Sequence, residues 1–155
     1  MSSLEDHIGL ANRNQRVLDY LMLDPATCAE WVAVTAFYKS LHVVEAIFAS
    51  QMPPIHVHNH HARLDRLKER RYAPLYPSFR VLWSASIVAR YLEHDDPPVA
   101  GHPAVRRPYA CFDDYLSIAD LKTNLLDRSL VPFENMAISM LAPGGPGLVR
   151  YTPPA

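Results

Sequence analysis

The stretch from Trp31 to Ser50, WVAVTAFYKSLHVVEAIFAS, constrains the fold more than any other part of the chain. At about 100° per residue, Val32, Ala33, Val34, Ala36, Phe37, Leu41, Val43, Val44, Ile47 and Phe48 cover well over half of a helix circumference. Trp31, Tyr38, His42 and Glu45 fall together on the remainder. A helix this apolar must be enclosed by other elements, so the chain is expected to be an all-α bundle with Val34, Phe37, Leu41, Val44 and Phe48 in its core. The imidazole and carboxylate on its polar stripe lie near that core, where each needs a partner or a shifted pKa.

A chain of 155 residues is expected to form one domain and to bury about two-thirds of its unfolded surface without disulfides or a structural metal. A formal charge of −1 gives no global pull toward nucleic acid, although a local basic patch remains open. Cys28 and Cys111 are too few for a disulfide framework and read as free thiols, which fits a reducing compartment. The N-terminal MSSLEDHIGL carries early acids and no long apolar core, so no signal peptide is expected. No run is read as approaching the roughly 18 apolar residues of a membrane span, and a cytoplasmic protein without membrane partners is expected.

Proline placement divides the chain. A first helix is expected over residues 4–22, capped by Ser2 or Ser3, with Ile8, Ala11, Val17, Leu18 and Leu21 as its apolar stripe. Pro25 suits the first turn of the long helix, which Met52-Pro53-Pro54 ends near Ser50. A shorter surface helix follows in ARLDRLKERRY, with His60, Leu64, Leu67 and Arg71 on one face. A fourth, from Ser78 to about Glu93, sets Val81, Leu82, Ala85, Val88 and Ala89 on an apolar arc. Residues 95–108 hold four prolines and read as a long loop. A last helix is signalled from Asp113 by Tyr115, Ile118, Leu121, Leu125 and Leu126, continuing brokenly past Pro132. The expected architecture is an up-and-down bundle of four to five helices over residues 1–141. Residues 142–155 follow as a flexible tail, or as a strand that pairs only with a partner.

Three constellations could carry chemistry. The run His56, His58, His60, His61 invites a metal reading, because alternate imidazoles can converge on one ion, and a solvated helix entry is the alternative. Tyr38, His42 and Glu45 lie one turn apart on the long helix, so the carboxylate could orient the imidazole as a general acid or base, or the three could lock helix packing. Arginines form the third group. Arg80 lies one turn before Ser84, and Arg63, Arg66, Arg70 and Arg71 line the third helix, where guanidiniums suit phosphate but Asp65 and Glu69 offer intrahelical partners. The spacing His60-x-x-Arg63 places an imidazole beside a guanidinium, a pair suited to an anion.

Ala36-Phe37-Tyr38, Leu41-His42-Val43-Val44-Glu45-Ala46, His60-x-x-Arg63, Leu82-x-x-x-Ser86 and Ala89-Arg90-Tyr91 together resemble a small prokaryotic branch of the HEPN superfamily, over roughly residues 5–130. The resemblance implies an up-and-down helical bundle, commonly dimeric, whose members include metal-independent ribonucleases and noncatalytic partners of nucleotidyltransferases. Catalytic members carry an arginine followed at a longer interval by a histidine; here Arg90 precedes His94 by a shorter one. A binding or accessory module in a defence, toxin–antitoxin or nucleotide-linked system is therefore the leading expectation, as a homodimer with a protein partner such as a nucleotidyltransferase or a defence-complex subunit. RNA or nucleotide would meet His60, Arg63, Arg80 and Ser84. The alternative is a metal-independent endoribonuclease using His42, Glu45, Arg90 and His94. A metal-binding protein built on His56–His61 is a second alternative. No cofactor is expected, and Trp83, Ile87 and Tyr91 are expected near a two-fold interface.

Overall fold

The computed structural model describes residues 3–96, 105–141 and 147–153. Among them five helices pack against one another: α1 (Leu4–Leu21), α2 (Ala29–Ala49), α3 (His60–Leu67), α4 (Tyr76–Tyr91) and α5 (118–140). The protein is all-α. Two four-residue strands, β1 (Glu93–Asp96) and β2 (Val105–Pro108), form only a short antiparallel ribbon beyond α4, with Glu93 opposite Pro108 and His94 opposite Arg107.

α2 is the axis of the bundle and packs on α1, α4 and α5. The five expected core residues, Val34, Phe37, Leu41, Val44 and Phe48, are all buried, and the four-residue polar stripe is what the bundle leaves partly open. Phe37 lies 5.7 Å from Phe79 of α4, and Phe79 lies 6.2 Å from Phe133 of α5, measured between ring centroids. These three rings join three helices, and each fully buried side chain of this kind contributes on the order of 1.5–3 kcal/mol. By length and composition α2 could cross a membrane, contrary to the expectation that no segment reaches that size; most of its apolar window is buried inside the bundle.

The helix ends follow local chemistry. Ser3 caps α1 in a reciprocal box with Asp6. α2 begins at Ala29, later than Pro25, because residues 22–28 close into turns: the Leu23 and Asp24 N–H groups donate to Tyr20 and Leu21, and the Thr27 N–H to the Asp24 side chain. Asn59 caps α3 through the Ala62 N–H at 2.8 Å. That helix ends at Leu67, where Lys68 and Glu69 turn back to the carbonyls three residues before them, so Arg71 leaves the face it was expected to share. α4 stops at Tyr91 because Leu92 takes a left-handed backbone, φ 53°.

The last helix starts at Ile118, capped by Ser117, after a short 3-10 turn at Phe112–Asp114. Its middle, Leu121–Leu130, is π-wound, and the Val131 N–H donates to Leu126. The π-to-α junction places Pro132 in the first turn of the α-helical part, so the helix runs through the proline. Of the expected 95–108 loop, the ends are paired strands and residues 97–104 lie outside the described residues. The tail differs from expectation over 147–153. Asn12 of α1 donates to the Gly147 carbonyl and accepts from the Val149 N–H, and Tyr151 is buried with its N–H on Glu134 Oε2 at 2.8 Å. An aromatic anchor and paired backbone groups seat the segment on the chain's own α1 and α5.

Candidate functional site

The stripe of α2 meets the start of α3 and the end of α4. Arg63, buried on α3, donates from Nε to Glu45 Oε1 at 2.5 Å and from Nη1 to His60 Nδ1 at 3.1 Å. Its Nη2 reaches the Val57 carbonyl at 3.4 Å. A guanidinium only donates, so Nδ1 of His60 accepts and the imidazole is neutral, with its proton on Nε2. The pKa of His60 is lowered in agreement, first by burial, then by the charges of Arg63, Arg90 and His61, with Glu45 opposing.

Two expectations are corrected here. Glu45 does not orient His42: a buried guanidinium needs a carboxylate more than a neutral imidazole does, and Glu45 is taken by Arg63. Arg63 for the same reason is engaged internally, where a phosphate-binding role was expected. His42 instead stacks on His7 of α1, with ring centroids 5.8 Å apart. Nδ1 of both rings is buried without a hydrogen-bond partner. Burial, then His7 and Arg63, pull the His42 pKa down to about 4. At neutral pH it is an uncharged ring and a weak base, well removed from the near-neutral value that suits general acid–base work.

Arg90 closes the other side. Its Nε donates to the Ser86 carbonyl at 3.0 Å, and its guanidinium lies over the rings of Tyr38 at 6.0 Å and Tyr91 at 5.2 Å. Arg90 also lines a cleft of about 490 Å³ between α2 and α4, together with Thr27, Glu30, Trp31, Val34 and Ala89. Trp31, on the wall of the cleft, is 65% exposed. The cleft thus combines a partly exposed cation, a broad aromatic face and one carboxylate.

The other expected residues lie elsewhere. His94 sits in β1, beyond the left-handed end of α4, so no helical spacing relates it to Arg90. Arg80 contacts the Tyr76 hydroxyl at 3.3 Å and lies over Trp83, while Ser84 is buried; neither joins the Arg63 cluster. Trp83 packs edge-on against His61. The histidine run diverges, since His60 faces Arg63 and Phe37, His61 faces Trp83, and His56 lines a different cleft. Among the described residues no three His, Cys, Asp or Glu side chains could hold one metal ion.

The sequence reading missed His7, the cleft role of Trp31, and a buried ion pair between Lys39 of α2 and Glu134 of α5. Trp31 was visible on the polar stripe. The lysine in the middle of an apolar helix was the one signal for the pair. No spacing rule connects His7 to His42 on another helix. Comparison of the chain with family models, curated proteins and solved structures found no match.

Proposed function

We propose that this chain is a HEPN-like binding or accessory module that takes a nucleotide or single-stranded RNA in the cleft between α2 and α4. The observation that carries the reading is convergence. Tyr38, His42, Glu45, His60, Arg63 and Arg90, drawn from three helices and from the motifs that carry the resemblance, gather in one region. Within it the Glu45–Arg63–His60 group pins α3 against α2, and Arg90 of the same region lines the cleft. Arg90 offers a phosphate partner and Trp31 a stacking plane, the two elements that single-stranded nucleic acid needs. Glu30 on the wall would accept from a ribose hydroxyl or a base amine.

As a cytosolic homodimer the module would serve a second protein, such as a nucleotidyltransferase or a subunit of a defence complex. Tyr91, 61% exposed, and the half-buried Ile87 supply apolar surface for the two-fold contact. A monomer mass by light scattering at tens of micromolar would remove the homodimer. The catalytic question is tested with total RNA and tRNA in EDTA. The accessory reading expects intact RNA, whereas nicking that Arg90→Ala abolishes would establish a metal-independent endoribonuclease in its place.

A further inference from the structure

A second cleft, of about 560 Å³, opens beyond the other end of α2, where the segment 51–56 faces the end of α3. One wall is apolar, made by Met52, Pro53, Pro54 and Ile55, and the other carries Arg66 and Arg71, with His56 at the edge. Two of the last carbonyls of α2 are already engaged. The Ile47 carbonyl accepts from Gln51 Nε2 and Ser50 Oγ at 2.7 Å each, and the Phe48 carbonyl from the Ile55 and Gln51 N–H groups.

The guanidiniums are only partly accounted for by the protein. Arg66 Nη1 donates to Glu69 at 2.7 Å, a half-exposed pair three residues apart of the kind that adds little stability. Its Nε is buried and has no hydrogen-bond partner. A shielded donor left in that state is expensive, and a shift of the side chain that brings it to an acceptor oxygen in the cleft would remove the penalty. Arg71 lies against the ring of Tyr72 and has no carboxylate partner among the described residues. Two guanidiniums and an imidazole around a concave surface, opposed by one carboxylate already engaged, suit a compact anion with several acceptor oxygens.

We infer that this cleft binds the terminal phosphate of a small phosphorylated molecule, with Arg66 and Arg71 as its two partners and the proline-lined wall receiving the apolar body. The site is separate from the α2–α4 cleft, and its failure would leave the reading of that cleft standing. Calorimetric titration of the full chain with inorganic phosphate, phenyl phosphate and phenol, none of them a nucleotide of the kind assigned to the α2–α4 cleft, at matched ionic strength, tests it. Phosphate and phenyl phosphate are expected to bind and phenol not to; a tighter phenyl phosphate means that the body is recognised, equal affinities that free phosphate is the ligand.

Arg66→Gln and Arg71→Gln should each weaken binding about tenfold or more. Glu69→Gln, which removes the opposing carboxylate, should tighten it. Arg71 is exposed, so its variant carries the test should Arg66→Gln fail to fold. The inference is overturned if neither phosphate compound binds at millimolar concentration, if phenol binds as well as phenyl phosphate, or if Arg71→Gln changes nothing.

Discussion

The ammonium of Lys39, wholly buried in the middle of α2, pairs with the carboxylate of Glu134 on α5. Gln15 of α1 accepts a second bond from Lys39 and donates from its own amide to Asp19 at 2.5 Å. Burial lowers the Lys39 pKa and raises that of Glu134, and in each case the partner's charge opposes the shift. The arrangement ties three helices together around a polar group that the core could not tolerate alone. Lys39→Met should therefore destabilise the protein by about 3–5 kcal/mol, because it leaves a buried carboxylate unpaired. Lys39→Met combined with Glu134→Gln should recover most of that loss, as Gln keeps an acceptor for the Tyr151 N–H. Urea denaturation of the single and double variants measures both effects, and a double variant no better than the single would contradict the account.

The same glutamate holds the C-terminal segment. Removing residues 147–155 takes away the Tyr151 anchor and the N–H on Glu134 Oε2, and should lower stability by about 2–4 kcal/mol. Asn12→Ala, which cuts only the two exposed backbone bonds to Gly147 and Val149, should lower it by about 1 kcal/mol. Equal stability of the full and truncated chains would show that the seat does not hold the segment in solution.

How much of this the sequence reveals depends on whether the signal is local. The α2 stripe was legible because helical periodicity sorts Trp31, Tyr38, His42 and Glu45 from their apolar neighbours, and burial follows that sorting. The helix count was legible from apolar spacing and proline punctuation. Pairings across the bundle were not. His42 lies within reach of Glu45 along its own helix, yet packing gives the carboxylate to Arg63 and the ring to His7. The end of α4 was hidden for another reason: Leu92 adopts a left-handed backbone that its side chain does not advertise, and this carries His94 off the helix. The unbroken α5 rests on π winding ahead of Pro132, which the apolar spacing does not announce.

His42 makes stability depend on pH. Its folded pKa, about 4, lies below the ordinary value of 6.5, so between these values the unfolded chain binds the additional proton. The contribution is complete above pH 6.5 and is lost as pH falls toward 4. Discounted for partial solvent access, it is about 2 kcal/mol. His60, lowered in the same direction, adds to the loss. Melting temperature should fall through this window in the wild type, fall less in His42→Gln, and fall less again when His60→Gln is added. A wild-type melting temperature that is flat from pH 7 to 4.5 would contradict a buried neutral ring.

The central claim is that the cleft between α2 and α4 receives nucleotide or single-stranded RNA through Arg90 and Trp31. Titration of the full chain with a fluorescently labelled single-stranded oligoribonucleotide in EDTA, followed by anisotropy, tests it most directly. The account predicts saturable binding that weakens with salt, falls about tenfold or more in Arg90→Gln and in Trp31→Ala, and leaves the oligonucleotide intact. No saturable binding, or binding that both substitutions leave unchanged, would contradict it.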